Sequence, residues 1–212
     1  MVPKPTADVS PEGVACGGAR PLRADALRNR ARVLEAAESV FAAEGISVPV
    51  DLIAEKAGVG VGTLYRHFPT KEKLFEAILI GRIDEIAADA RARLGADDPG
   101  AALFGFLEHL VEESALKRDL IQALLGAGVE IELAVAASKR NLEAAVDELL
   151  KVAQRSGAVR GDVSCPVVLS LVGATCIAAD HPNMAALPAD LLSIICDGLR
   201  PPAAAAPGQA GG

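Results

Sequence analysis

Three groups of side chains in this 212-residue sequence could do chemistry: histidines set among carboxylates, four thiols, and a basic run that holds the chain's single tyrosine. Glu108-His109-Leu110-Val111-Glu112-Glu113 puts His109 within one helical turn of Glu108, Glu112 and Glu113, the i,i+3 geometry that metal-binding bundles use. No second Glu/His pair is placed to complete such a site, so a solvated acidic face is the expectation, and no metal or other cofactor is assigned. Cys16, Cys165, Cys176 and Cys196 stand at spacings of 149, 11 and 20, with no CxxC pair. Inert thiols are the plain expectation. A redox role would fall to Cys176 and Cys196, but neither has a basic neighbour in sequence to lower its pKa. Ser/His/Asp triads, Walker loops and dinucleotide fingerprints are absent in recognisable context, so the chain is not expected to be an enzyme.

The run that remains is more informative. In Leu52-Ile53-Ala54-Glu55-Lys56-Ala57-Gly58-Val59, small Ala54 precedes Gly58 by four residues, with Val59 and Leu64 following. In a helix-turn-helix the alanine lets two helices approach, the glycine takes the left-handed conformation of the turn, and the apolar residues pin one helix across the other. Ala-x-x-x-Gly alone also marks any helix that ends in glycine. The continuation is specific: Gly62-Thr63-Leu64-Tyr65-Arg66-His67-Phe68, then Pro69-Thr70-Lys71-Glu72-Lys73-Leu74-Phe75.

This run resembles the TetR family of transcriptional regulators, whose N-terminal domain shows G-x-L-Y-x-H-F followed by a Lys-Glu pair at the start of helix four. Arg30, Ala36-Ala37, Phe41 and Gly45 match upstream, and the resemblance covers residues 29–80. A two-turn helix over 61–67 can enter the major groove end-on, with Val61, Gly62 and Thr63 nearest the bases. Gly62 lets the helix sit close, Thr63 offers a hydroxyl and a methyl, and Val61 a purely apolar contact. The resemblance further implies that Tyr65, Arg66 and His67 meet phosphates or base edges. It places Lys71 on a phosphate at the N-terminus of the next helix and Arg30 on the backbone from helix one. Two family hydroxyls are missing, since Gly60 stands where Ser is common and Ser47-Val48-Pro49-Val50 where a helix-opening Thr is common. Arg20 and Arg23 just upstream are the charges nearest to compensate.

The elements that must position these residues are helical throughout. Aromatics are 3% of the chain and hydrophobic residues 51%, which favours helix over sheet and leaves ample material for a core. Apolar residues recur at helical spacing, with breaks at Gly45, 58–60, Pro69, 95–100, 126–128, 157–161 and 181–188. The pattern predicts about nine helices: 25–45, 50–57, 61–67, 70–94, 101–114, 117–125, 129–156, 165–180 and 188–199. The fold class is therefore all-α: a three-helix N-terminal helix-turn-helix DNA-binding domain (23–70) joined to a C-terminal helical ligand-binding and dimerisation domain (71–200). A Pro/Gly-rich leader (1–22) and an Ala/Pro/Gly tail (201–212) flank them as flexible segments.

Net charge is −7, unevenly spread. Residues 20–82 hold ten Lys and Arg against eight Asp and Glu, whereas 83–212 hold ten against eighteen, so the basic end is the one that would face a polyanion. The longest uncharged run, 163–179, is 17 residues with Pro166 and Gly173 inside it. Neither an export signal nor a membrane span is evident, and a cytoplasmic location is expected.

For the second half, the resemblance implies an effector pocket among helices five to eight and a homodimer interface from the last two helices. Leu103, Phe106, Leu107, Leu110, Leu142 and Val146 are the apolar positions expected to line the pocket for a small-molecule effector of unknown identity. The uncharged 165–180 helix and Leu191, Leu192, Ile194 and Ile195 supply apolar surfaces that suit either a partner or the intramolecular core. The leading expectation is a ligand-responsive repressor that binds a palindromic DNA operator as a homodimer. The rival is a helical small-molecule-binding protein or enzyme on a degenerate regulator scaffold, and the intact Tyr65, His67 and Lys71 count against it.

Overall fold

A computed structural model of the chain describes residues 19–178 and 187–202. The remaining leader, including Cys16, the segment with His181, and the tail from 203 lie outside the described residues. Among those described there are nine α-helices and one 3-10 turn: α1 (Ala19–Glu44), α2 (Val50–Lys56), α3 (Val61–His67), α4 (Lys71–Ala92), the 3-10 turn (Arg93–Gly95), α5 (Pro99–Glu112), α6 (Ser114–Gly126), α7 (Ile131–Arg155), α8 (Cys165–Ala178) and α9 (Leu187–Leu199).

Val33, Ala37, Val40 and Phe41 recur every three or four residues along α1, and this stripe is buried. The helix starts six residues before the expected Asp25, so 19–22 of the expected leader are helical. Pro21 is no obstacle there, because the first turn needs no intrahelical N–H bonds. Thr70 opens α4 by accepting from the Lys73 amide at 3.3 Å, and Asp98 opens α5 by accepting from the Ala101 amide at 2.9 Å. Pro99 follows the second cap as the first helical residue, which starts α5 two residues earlier than its apolar pattern suggested. Glu113 ends α5 and begins α6, so these helices meet at a one-residue corner and α6 starts three residues before its expected bound.

Two hydrophobic cores share one spine. The first is closed by α1, α2, α3 and the first half of α4, which contributes Leu74, Phe75, Ile78 and Leu79, with Leu120 and Leu124 of α6 and Ile131 and Val135 of α7. The second gathers Ile86, Ala87 and Ala90 of α4 with α5, the later part of α7, α8 and α9. α4 packs along α7 and α6, so the helix-turn-helix rests on a helix rooted in the other core. The unit boundary expected after residue 70 coincides with the start of α4, yet that helix belongs to both.

Candidate nucleic-acid interface

Ala54 is 1% exposed under the crossing of α2 and α3, and Gly58 takes φ +63°. The Val59 amide donates to the Ala54 carbonyl and the Gly58 amide to that of Glu55, each at 3.0 Å. These are the two bonds of a glycine-terminated helix end, which only a left-handed residue closes without strain. α3 then lies with Leu64 and Phe68 buried, 1% and 2% exposed, in the first core. Fixing those two positions decides the opposite face: Val61, Gly62, Tyr65 and Arg66 are turned to solvent, with Val61 37% and Tyr65 46% exposed. Thr63 and His67 are half-buried at its edges. A Cβ built on Gly62 would meet nothing within 4 Å, so the absent side chain serves no internal packing and leaves α3 open to approach.

The basic residues around α3 do different jobs. Arg30 lays its guanidinium over the Phe68 ring, 4.9 Å from the centroid, and with His67, Pro69 and Lys73 it borders a small cleft at the C-terminal end of α3. The Lys71 ammonium donates to the Val48 carbonyl at 2.8 Å and lies 5.4 Å from the Phe75 ring centroid. This bond ties the start of α4 to the loop before α2 and leaves the ammonium two further donors. The structure thus gives Lys71 a bracing role that the sequence reading lacked.

Two bracing residues were missed altogether. Arg32 donates to the Gly58 carbonyl at 3.1 Å, and Lys56 donates to the Ser39 hydroxyl at 2.8 Å, so α1 grips the turn and the end of α2. The only hint in the sequence was that Arg32 lies off the buried stripe of α1. Arg28 is paired with Asp25.

Most of the residues expected to line an effector pocket are core residues of the second cluster. Leu103, Phe106, Leu107 and Val146 are 0% exposed and Leu110 6%, all inside the second core. Leu142 borders a groove, a cleft of about 700 Å³ between α7 and α8 with Lys139, Arg140, Glu143, Pro166 and Leu169 on its walls. Among the described residues no group of His, Cys, Asp and Glu is placed to hold a metal ion. Burial pushes the Cys165 thiol up to about 11 and also raises that of Cys196, and Cys165, Cys176 and Cys196 are all free thiols.

A helix-turn-helix whose outer helix shows a polar and aromatic face, carried on a larger helical unit, defines a DNA-binding regulator. Comparison with known proteins gives the family. Residues 33–78 match the model described as bacterial regulatory proteins, tetR family, and 98–201 that of the SbtR-like transcriptional regulator C-terminal domain. The crystal structure of a TetR transcription regulatory protein from Mycobacterium vanbaalenii is 44% identical, with 85% of this chain and 100% of that one covered and a TM-score of 0.70. The regulator SCO0520 from Streptomyces coelicolor is 28% identical over 82% of this chain and 99% of that one, with a TM-score of 0.67. Among curated relatives, SrpR of Pseudomonas putida is 40% identical over 78 residues, 36% of this chain and 37% of SrpR. SAB2452 of Staphylococcus aureus is 44% identical over 54 residues, 25% of this chain and 29% of that regulator. The match thus spans about a third of these curated relatives. The chain belongs to the TetR family of transcriptional regulators.

Proposed function

We propose that this regulator is a ligand-responsive repressor that binds a palindromic operator as a homodimer in the cytoplasm and catalyses no reaction. The observation that carries the reading is the outward face of α3. Val61, Gly62, Tyr65 and Arg66 are exposed with no intramolecular task while Leu64 and Phe68 anchor the helix. Val61, Gly62 and Thr63 meet base edges in the major groove, and Tyr65, Arg66, His67, Arg30 and Lys71 meet phosphates or flanking edges. A seven-residue helix reads few base pairs, so useful specificity needs two copies related by a two-fold axis.

The surface that would join the copies is on α8 and α9, where Val167, Leu171, Ile177 and Ile194 are 48%, 42%, 73% and 69% exposed. Apolar side chains of this size at helical spacing favour burial against an identical neighbour. Among the described residues no helix is long and apolar enough to cross a membrane. The test is selection of bound sequences from randomised duplex DNA with the full chain. A two-fold symmetric motif is expected, and recovery of no symmetric motif at low salt refutes the reading.

A further inference from the structure

One guanidinium joins the helix-turn-helix to the body of the chain, α5 to α9. α1 packs against α2, α3 and α4. Arg82 lies on α4 between Leu79, which enters the first core, and Ile86, which enters the second. It donates from Nη1 to Glu113 and pairs through Nη2 with Glu38, each at 3.1 Å. Glu38 belongs to α1, and Glu113 is the corner residue between α5 and α6. All three side chains are between 22% and 29% exposed, so water and salt screen these bonds less than they would on an open surface. Arg82 Nε is buried with no acceptor among the described residues, whereas a surface arginine would turn that donor to water. The plane of the group is set instead by the two carboxylates. Burial raises the pKa of Glu38, Arg82 opposes that shift, and Glu85, Glu113 and Glu35 add to it. Arg82 is thus the neighbour that favours the Glu38 carboxylate.

The tie continues along α1 to the recognition helix. Ser39, next to Glu38, accepts at 2.8 Å from the Lys56 ammonium at the end of α2, and Arg32 donates to the Gly58 carbonyl at 3.1 Å. Arg32 lies about 9 Å back along α1 from Glu38, and Arg30 covers the Phe68 ring at the end of α3. From Glu113 to Gly58 the path therefore consists of directional bonds joined by one helix. Apolar contacts are non-directional, whereas a planar guanidinium that engages a carboxylate on each side fixes the distance and the angle between the elements that carry them. We propose that Arg82 is a positioning residue: it sets the angle of the helix-turn-helix on the body, and through that angle the half-site spacing that a pair of chains accepts. The inference rests on the reading of this regulator as a homodimer on a palindromic operator. Two recognition helices engage two half-sites together only if their separation and rotation match the duplex, and one added base pair turns a half-site by about 34–36°. With the tie cut, the outward face of α3 is unchanged but its setting relative to the second copy is loose. Affinity for one half-site is then kept while discrimination between spacings falls.

Glu38→Ala, Glu113→Ala and Arg82→Met cut this tie at its two ends and its middle. Each full-length variant is titrated by competition against duplexes that carry the selected half-site pair at its recovered spacing or with a few base pairs added or removed, and against a duplex with a single half-site. The unaltered chain is expected to prefer one spacing by about tenfold or more over its neighbours. All three variants are expected to lower that preference by the same factor, about threefold or more, and to keep single-half-site affinity within about twofold. An unchanged spacing preference in either carboxylate variant overturns the proposal. So does an equal loss on one half-site and on two, which would make Arg82 a brace of the fold. Should Arg82→Met fail to fold, the two carboxylate variants decide, since each leaves the guanidinium paired with the other carboxylate. A symmetric motif whose spacing preference persists in those variants refutes this inference alone. Selection that recovers no symmetric motif refutes the homodimer reading and this inference with it.

Discussion

Replacing Lys71 by alanine should weaken both the fold and the grip on DNA, and the two losses can be read separately. The ammonium donates to the Val48 carbonyl at 2.8 Å and sits 5.4 Å from the Phe75 ring centroid. A hydrogen bond from a charged donor contributes about 1.5–3 kcal/mol, and a cation over a ring about 0.5–1 kcal/mol at an exposed site. Lys71 is half-buried, so water replaces part of both, and the net loss should be about 1–2 kcal/mol. For a chain of this size that lowers Tm by roughly 2–8 °C. If a remaining donor holds a phosphate, the slope of log K against log salt should also shrink by about 0.9 for each chain bound. Calorimetry of the free protein reads the first effect, and anisotropy titrations of a selected operator between low and physiological salt read the second. A fall in Tm with an unchanged salt slope means that Lys71 only braces the fold. A reduced slope with an unchanged Tm means that the bond to Val48 contributes nothing in solution.

Thr63→Ala should relax preference at one base position per half-site, at about 1–3 kcal/mol for the cognate base and little for non-specific DNA. Competition titrations check this, and equal losses on both DNAs would make Thr63 a phosphate or packing contact. Leu171→Glu combined with Ile194→Glu puts two charges on the exposed apolar face of α8 and α9. The variant should run as a folded monomer by light scattering and lose operator affinity at physiological salt, whereas an intact dimer would move the interface elsewhere. Cys165 should resist alkylation as pH rises, because a thiol held at about 11 is only about one-hundredth ionised at pH 9, where an ordinary buried-free thiol is largely reactive. Half-exposed Cys176 should label first in peptide mass spectra, and early labelling of Cys165 would contradict its burial.

The DNA-binding end was legible because its constraints are local. Ala54, Gly58, Leu64 and Phe68 sit at fixed offsets within two short helices, so spacing alone set the turn, the buried face and hence the outward face of α3. The bounds of α3 agree with the expectation, and those of α2 differ by one residue. What was lost depends on distant partners. The grip of Arg32 on Gly58 and of Lys71 on Val48 spans 26 and 23 residues, and no periodicity reports such a bond. The pocket expectation also depends on distant partners. Apolar character at helical spacing puts Leu103, Phe106 and Leu107 on an inward face, but whether facing surfaces close or leave a cavity depends on how α5 meets α7 and α8.

The central claim is that α3 reads DNA in the major groove as one of a symmetric pair. Hydroxyl-radical footprinting together with guanine-N7 methylation interference, on a duplex recovered by selection, tests it most directly. Two equal protected half-sites on one face of the duplex are predicted, related by a two-fold axis. They should be separated by a multiple of about 34 Å, with interference at N7 in the major groove that is lost at one position per half-site in Thr63→Ala. A single protected patch, or protection without major-groove interference, would contradict the account.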